Sequence, residues 1–158
     1  MTLVEQTDYA ELVGELVAKR QQTSPKRLGD PGPTPEQVHN LFSVAAQAPD
    51  QGLIRPWRFV HVSDAARGRL GEAFVQALVE RDPDATVQQC DDARAKASRA
   101  PFLALAIARL QDDHPAIPLT ERLVSLGCAL QNMLLLAHAQ GFGAGLVSRP
   151  LKYWRSAP

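Results

Sequence analysis

Net charge is missing from this chain: seventeen Lys and Arg side chains balance seventeen Asp and Glu. No overall field therefore draws it to nucleic acid or to an anionic membrane surface, and no basic arm or zinc-finger spacing supplies a local one. Cysteine is scarce, with Cys90 and Cys128 alone. Neither has a His at ligand spacing, so no metal site is expected, and Cys128, in an apolar helix, reads as a core thiol. No basic-then-apolar leader opens the chain, because "MTLVEQTDYAELV" carries acids there; a cytoplasmic, reduced protein is the expectation. Long apolar runs are also missing. The nearest, "LVSLGCALQNMLLLAHAQGFG" from Leu123, is broken by Gln131, Asn132 and His138. A membrane span needs about 20 predominantly apolar residues, so this is a helix buried on most sides, inside the domain or between subunits.

Catalytic signatures are absent in the same way. "VSLGC" lacks the first glycine of a nucleophile elbow, and there is no Walker loop. His39, His61, His114 and His138 fall in separate elements without paired spacing. "QDDHP" at 111–115 reads as a solvated loop. "GFGAG" at Gly141–Gly145 has glycines in the wrong order for a dinucleotide fingerprint, which runs strand, glycines, helix; here a helix comes first, and a left-handed helix stop is expected. No catalytic residue is assigned. If the chain is an enzyme, its chemistry comes from a cofactor.

What is present is a regular alternation of elements within 158 residues, enough for one domain spanning 1–158 that buries roughly 70% of its unfolded surface. A first helix is expected from about Asp8 to Arg20, with Tyr9, Leu12, Val13, Leu16 and Val17 on one face. "TPEQ" starts a second: Thr34 caps, Pro35 takes the first position and Gln37 completes a capping box. Val38, Leu41, Phe42 and Ala45 repeat until Pro49. A strand follows from Trp57 to Val62, its Trp57 and Phe59 read as core packing. A third helix carries Leu70, Phe74, Ala77 and Leu78 inward, and a short polar helix lies near Asp91–Ser98. The length and bulk of "PFLALAIARL" favour a fully buried strand, although its alanines leave a helix possible. A long helix from about Thr120 to Gln140 and a last strand near Ala144–Ser148 complete the set. The class is α+β, a small mixed sheet sandwiched by helices.

The order "SPKRLGDPGPTPEQVHNLFSVAAQAPDQGLIRPWRFV", then "RAPFLALAIAR", then "ERLVSLGCALQNMLLLAHAQGFGAGLVS" resembles the nitroreductase family of flavin enzymes, in its compact branch. The likeness runs from about Leu12 to Ser148. It implies FMN held at the interface of a homodimer, with the long helix central to that interface. It also implies two-electron reduction by NADH or NADPH of a nitroaromatic, quinone or similar small-molecule acceptor. Neither nucleic acid nor membrane enters as a partner.

The residues that the resemblance implicates fall in three segments. In the arm, Arg20 matches the motif's first Arg and faces the phosphate or ribityl chain. Gln21 and Gln22 stand where Arg and Ser are common, and Ser24 is close enough to substitute. In the loop, Gln47 and Gln51 match flavin-contacting positions, from the partner chain and the same chain respectively. Pro49 and Asp50 fix that loop, and Arg55 reaches toward a ring-edge oxygen. After the long helix, Ala137, His138, Ala139, Gln140, Gly141 and Phe142 match a nicotinamide-nucleotide segment, and Leu146, Val147 and Ser148 a further flavin contact. The family's C-terminal strand and tail are not found after Ser148, where "SRPLKYWRSAP" includes Tyr153 and Trp154. That shortfall and the lost Arg of the arm leave a second reading open, a flavin-binding or truncated nitroreductase-fold protein without turnover.

Overall fold

A computed structural model describes residues 3–109 and 114–147. Its elements run α1 (Leu3–Lys19), α2 (Pro35–Ala45), β1 (Trp57–His61), α3 (Asp64–Arg81), α4 (Val87–Ala95), β2 (Ala104–Ala108) and α5 (Leu119–Ala139). The class is the expected α+β: five helices around a small antiparallel sheet in which Trp57 pairs with Ala108 and His61 with Ala104.

Local sequence explains most boundaries. α2 begins at the expected capping box: Thr34 Oγ1 accepts the Gln37 N–H, and Gln37 Oε1 accepts the Thr34 N–H at 2.8 Å. A second box of the same kind, Thr86 with Gln89, starts α4. That places the short helix four residues earlier than Asp91, and "TVQQ" was the available signal. α1 likewise begins at Leu3 and carries Asp8 within it. α5 ends in a Schellman turn. The Phe142 N–H reaches Ala137 O, the Gly141 N–H reaches His138 O, both at 2.9 Å, and Gly141 has φ 85°. Glycine adopts that conformation without steric cost.

The core is small and built from alanine around one indole. Ala45, Ala48, Trp57 and Ala129 form a buried cluster, with Phe59, Leu126, Cys128 and Met133 packed against it. Ala45 and Ala129 are fully covered, which lets α2 and α5 approach closely. Asn132 Nδ2 then donates to Val44 O at 3.1 Å, satisfying a carbonyl at the end of α2. Phe42 stacks on Phe59, ring centroids 5.9 Å apart.

Three expectations change, and one further face is left open. β2 is not fully buried, because among the described residues only one partner strand flanks it, and Leu105 is 39% exposed. The last strand is reduced, over residues 144–147, to a single parallel bridge between Gln22 and Ala144. Its partner segment soon meets Pro25, which has no N–H to continue a ladder; Ser148 lies outside the described residues. Ala77 is exposed, and α3 instead buries Arg67, Gly71 and Leu78. Most consequentially, α1's apolar face is uncovered: Tyr9, Leu12, Val13 and Val17 are all more than half exposed.

Buried Arg67 explains the α3 result. Its guanidinium donates to Ala97 O and Ala100 O at 2.8 Å and to Pro101 O at 2.9 Å. It thereby holds the turn before β2 against α3. At the surface, Arg94 bonds Glu72 and Asp91 at 2.6 Å, and its hydrogen bond holds the Glu72 carboxyl below the ordinary carboxylate range. The Glu72 contribution to stability is thus present at neutral pH and is lost as pH falls through its folded-state pKa. Arg67→Ala should lower unfolding free energy by roughly 3 kcal/mol, since three carbonyls lose a charged donor. The check is urea denaturation beside Lys19→Ala, an exposed helix pair whose loss should be within about 0.5 kcal/mol.

Candidate functional site

The three segments singled out in the sequence are carried by two packed helices. The loop 47–55 leaves the end of α2, the segment 140–147 leaves the end of α5, and α2 packs on α5. The arm follows α1 and turns at Pro25.

Arm and post-helix segment are joined. The Thr23 N–H donates to Ala144 O at 2.9 Å. The Gln22 side-chain amide donates to Leu146 O at 2.6 Å and accepts the Leu146 N–H at 3.1 Å. The side chain thus continues, by one residue pair, the bridge that the backbone makes at Ala144. Gly145 is required for this approach, since a Cβ there would overlap the Thr23 carbonyl oxygen and lie 2.8 Å from Gln22 Nε2. The glycine-rich stretch is therefore a helix stop followed by a close backbone contact.

The loop 50–55 is tightly wound. Leu53 and Arg55 have φ of 53° and 44°, and Gly52 has φ 73°. Left-handed conformation at a non-glycine residue costs of order 1–3 kcal/mol and needs surrounding contacts to hold it. Those contacts are visible. The Asp50 carboxylate accepts the Arg55 N–H at 2.5 Å, and the Asp50 carbonyl accepts the Leu53 N–H at 3.2 Å. Asp50 therefore fixes the loop as expected. The loop holds Leu53 outward at 83% exposure, along with exposed Gln51 and Arg55.

The side chains of Arg20, Gln21, Ser24, Gln47, Gln51 and Arg55 make no hydrogen bond or ion pair among the described residues. All but half-buried Arg20 are exposed. They are uncommitted donors, the kind of set that suits a ligand rich in acceptors. No hydrogen bond among the described residues ties the 47–55 loop to the arm. Ala137 is buried, and with Phe142 it lines an apolar cavity of about 70 Å³ that also includes Leu28 and Leu41. Both face the interior. His138 and Gln140 are half-buried and Ala139 is exposed; Gln140 Oε1 is buried without a hydrogen-bond donor among the described residues. Leu146 and Val147 are exposed at 48% and 67%. Ser148, Tyr153 and Trp154 lie outside the described residues.

A sequence model of the nitroreductase family matches residues 20–153. The chain belongs to the nitroreductase family. It is 33% identical over 129 residues to "Putative NAD(P)H nitroreductase YdjA" of Escherichia coli, covering 82% of this chain and 68% of that protein. A Haemophilus influenzae protein with the same NAD(P)H nitroreductase description is 32% identical over 119 residues, 75% of this chain and 64% of its own. Among solved structures, a nitroreductase-like family protein from Bacillus cereus superposes with a TM-score of 0.68 at 16% identity, over 82% of this chain and 65% of that one. The FMN-dependent nitroreductase NfnB of Mycobacterium smegmatis, solved in complex with NADPH, superposes with a TM-score of 0.62 at 21% identity, over 84% and 72%. These two establish the fold. The chain spans about two thirds of the length of the relatives it matches.

Within the nitroreductase fold, the wound loop is the strained element. Leu53→Asn should raise unfolding free energy by roughly 1 kcal/mol, because asparagine tolerates the left-handed region that leucine resists. Urea denaturation of the variant checks this; a loss of stability would mean that Leu53 has packing the structure does not show.

Proposed function

We propose that the chain is an FMN-dependent oxidoreductase that uses NADH or NADPH to reduce a nitroaromatic, quinone or similar small-molecule acceptor by two-electron transfer. It works as a homodimer in a reducing, cytoplasmic compartment, which suits its two free thiols. The observation that carries this reading is the set of uncommitted donors on the arm and on the wound loop, in a chain of this family. What relatives are named for, NAD(P)H nitroreductase in E. coli and FMN dependence with bound NADPH in M. smegmatis, supports the same reading.

The donor set fits a flavin mononucleotide chemically. The phosphate carries about two negative charges and needs the Arg20 guanidinium with the Ser24 hydroxyl. Ring-edge oxygens and nitrogens need amide and guanidinium donors, which Gln47, Gln51 and Arg55 supply. Gln21 flanks the phosphate, and Leu146 and Val147 give an apolar wall. His138, Ala139 and Gln140, with the turn at Gly141 between buried Ala137 and Phe142, face the nicotinamide nucleotide. Bound flavin supplies the redox chemistry, passing two electrons from the nucleotide to the acceptor. The protein supplies orientation and a donor at the ring edge, for which no general base is needed.

One chain is insufficient for this. The roughly 70 Å³ apolar cavity is well below the 300–1,000 Å³ of ordinary ligand sites, and the loop is not hydrogen-bonded to the arm. α1 presents Tyr9, Leu12, Val13 and Val17, and α5 presents Leu119, Leu123 and Val124, all substantially exposed. Apolar faces of this kind mark an association surface. A second copy covers them, in an interface of the obligate class, roughly 2,000–5,000 Å², and brings its Gln47 to the first copy's site. A second reading, flavin binding without turnover, draws on the arm: Gln21 and Gln22 stand where the family commonly has Arg and Ser, and Gln22 is committed to Leu146, so the arm offers fewer charge-assisted bonds.

Purified protein mixed with FMN and desalted should keep the flavin's visible absorbance, bleach anaerobically with NADPH, and run as a dimer in gel filtration with light scattering. Retention without bleaching would select the second reading; no retention would reject both. Arg20→Ala should weaken FMN binding by roughly 1.5–3 kcal/mol through loss of a charge-assisted bond, measured by quenching of FMN fluorescence.

A further inference from the structure

We infer that Gln22 is a positioning residue: its side-chain amide fastens the arm to the segment after α5 and so sets the arm's donors in place before any cofactor arrives. The inference rests on the flavin reading above and deepens it. By resemblance to the family Gln22 falls among the phosphate-arm residues, yet its amide is engaged elsewhere. Both its polar ends engage Leu146, Nε2 to the carbonyl at 2.6 Å and Oε1 from the N–H at 3.1 Å.

Three features make this more than an incidental surface contact. The Thr23 N–H to Ala144 O bond lies directly beside it, and Gln22 itself forms the backbone bridge with Ala144, so side chain and main chain act on the same short segment. Gly145 removes the Cβ that would block the approach. The fastened segments are otherwise weakly anchored: Gln21, Gln22 and Ser24 are exposed, as are Leu146 and Val147. Arg20 stands two residues before the fastener and Ser24 two residues after it. Their donors are therefore held relative to Leu146 and Val147 by this contact. Without it, ordering the arm would be deferred to the moment of binding, where it subtracts from affinity.

The test uses the full chain with FMN titrated by fluorescence quenching. Gln22→Met keeps the side chain's length and removes both hydrogen bonds. It should raise the FMN Kd about tenfold, on the scale of two modest hydrogen bonds. In the apoprotein it should speed amide exchange at Thr23 and Leu146 while leaving the urea midpoint nearly unchanged. A double-mutant cycle with Arg20→Ala separates positioning from general damage. If Gln22 acts through Arg20, its effect shrinks markedly in the Arg20→Ala background. Gly145→Ala, which attacks the same contact from the other side, should reproduce the weakening. FMN uptake with an unchanged Kd in Gln22→Met, or fully additive effects with Arg20→Ala, would overturn this inference alone. Wild-type protein that takes up no FMN would overturn the functional reading and this inference with it.

Discussion

The close approach of α2 and α5 is the constraint on which the remaining structure depends. Ala45 and Ala129 are both without exposed surface, and only side chains of that size let two helices meet with so little between them. Trp57 fills the space beside them, and Asn132 satisfies Val44 at the end of α2. From this one contact both functional segments emerge, the 47–55 loop from the end of α2 and the 140–147 segment from the end of α5. A larger residue at either alanine would displace both segments together.

Around that centre, left-handed backbone and uncommitted polar side chains are concentrated on the 47–55 loop and the arm. The left-handed backbone at Leu53 and Arg55 is held by Asp50 and has no obvious purpose in a loop that merely joins α2 to β1. Strain held by nearby contacts is a feature of binding and catalytic sites. The proposed division of labour, in which a redox cofactor carries the reaction and the polypeptide positions it, requires no acid–base pair. Uncovered apolar faces on α1 and α5 extend the argument from one chain to two, because a core with no large side chain fully buried among the described residues has apolar surface left to bury.

Much of this was legible in the sequence, for identifiable reasons. Capping chemistry marked α2 to the residue, and periodicity gave the α5 span within a residue at each end, because both are local signals. The Thr86–Gln89 box is equally local, and it starts the short helix at Val87. The wound loop was recognised as a loop, and Asp50 as its anchor. What local signals do not carry is what lies across from a residue. The length and bulk of "FLALAIA" favour full burial, which the two-stranded sheet among the described residues does not provide. Nothing local marks Arg67 for burial, since the three carbonyls that enclose it come from a turn 30 or more residues later. The family resemblance puts Gln22 at a cofactor position, while its partner at Leu146 lies 124 residues away. The apolar stripe of α1 was correctly placed on one face, and only the fold revealed that this chain does not cover it.

The account's central claim is that the arm, the wound loop and the segment after α5 surround one flavin. Amide hydrogen exchange, compared with and without saturating FMN, addresses it most directly. The predicted result is slowed exchange in three separated stretches at once, 20–24, 51–55 and 144–147, with little change in α3 and α4. Tight FMN binding that leaves those stretches unprotected, or that protects α3 and α4 instead, would contradict the account.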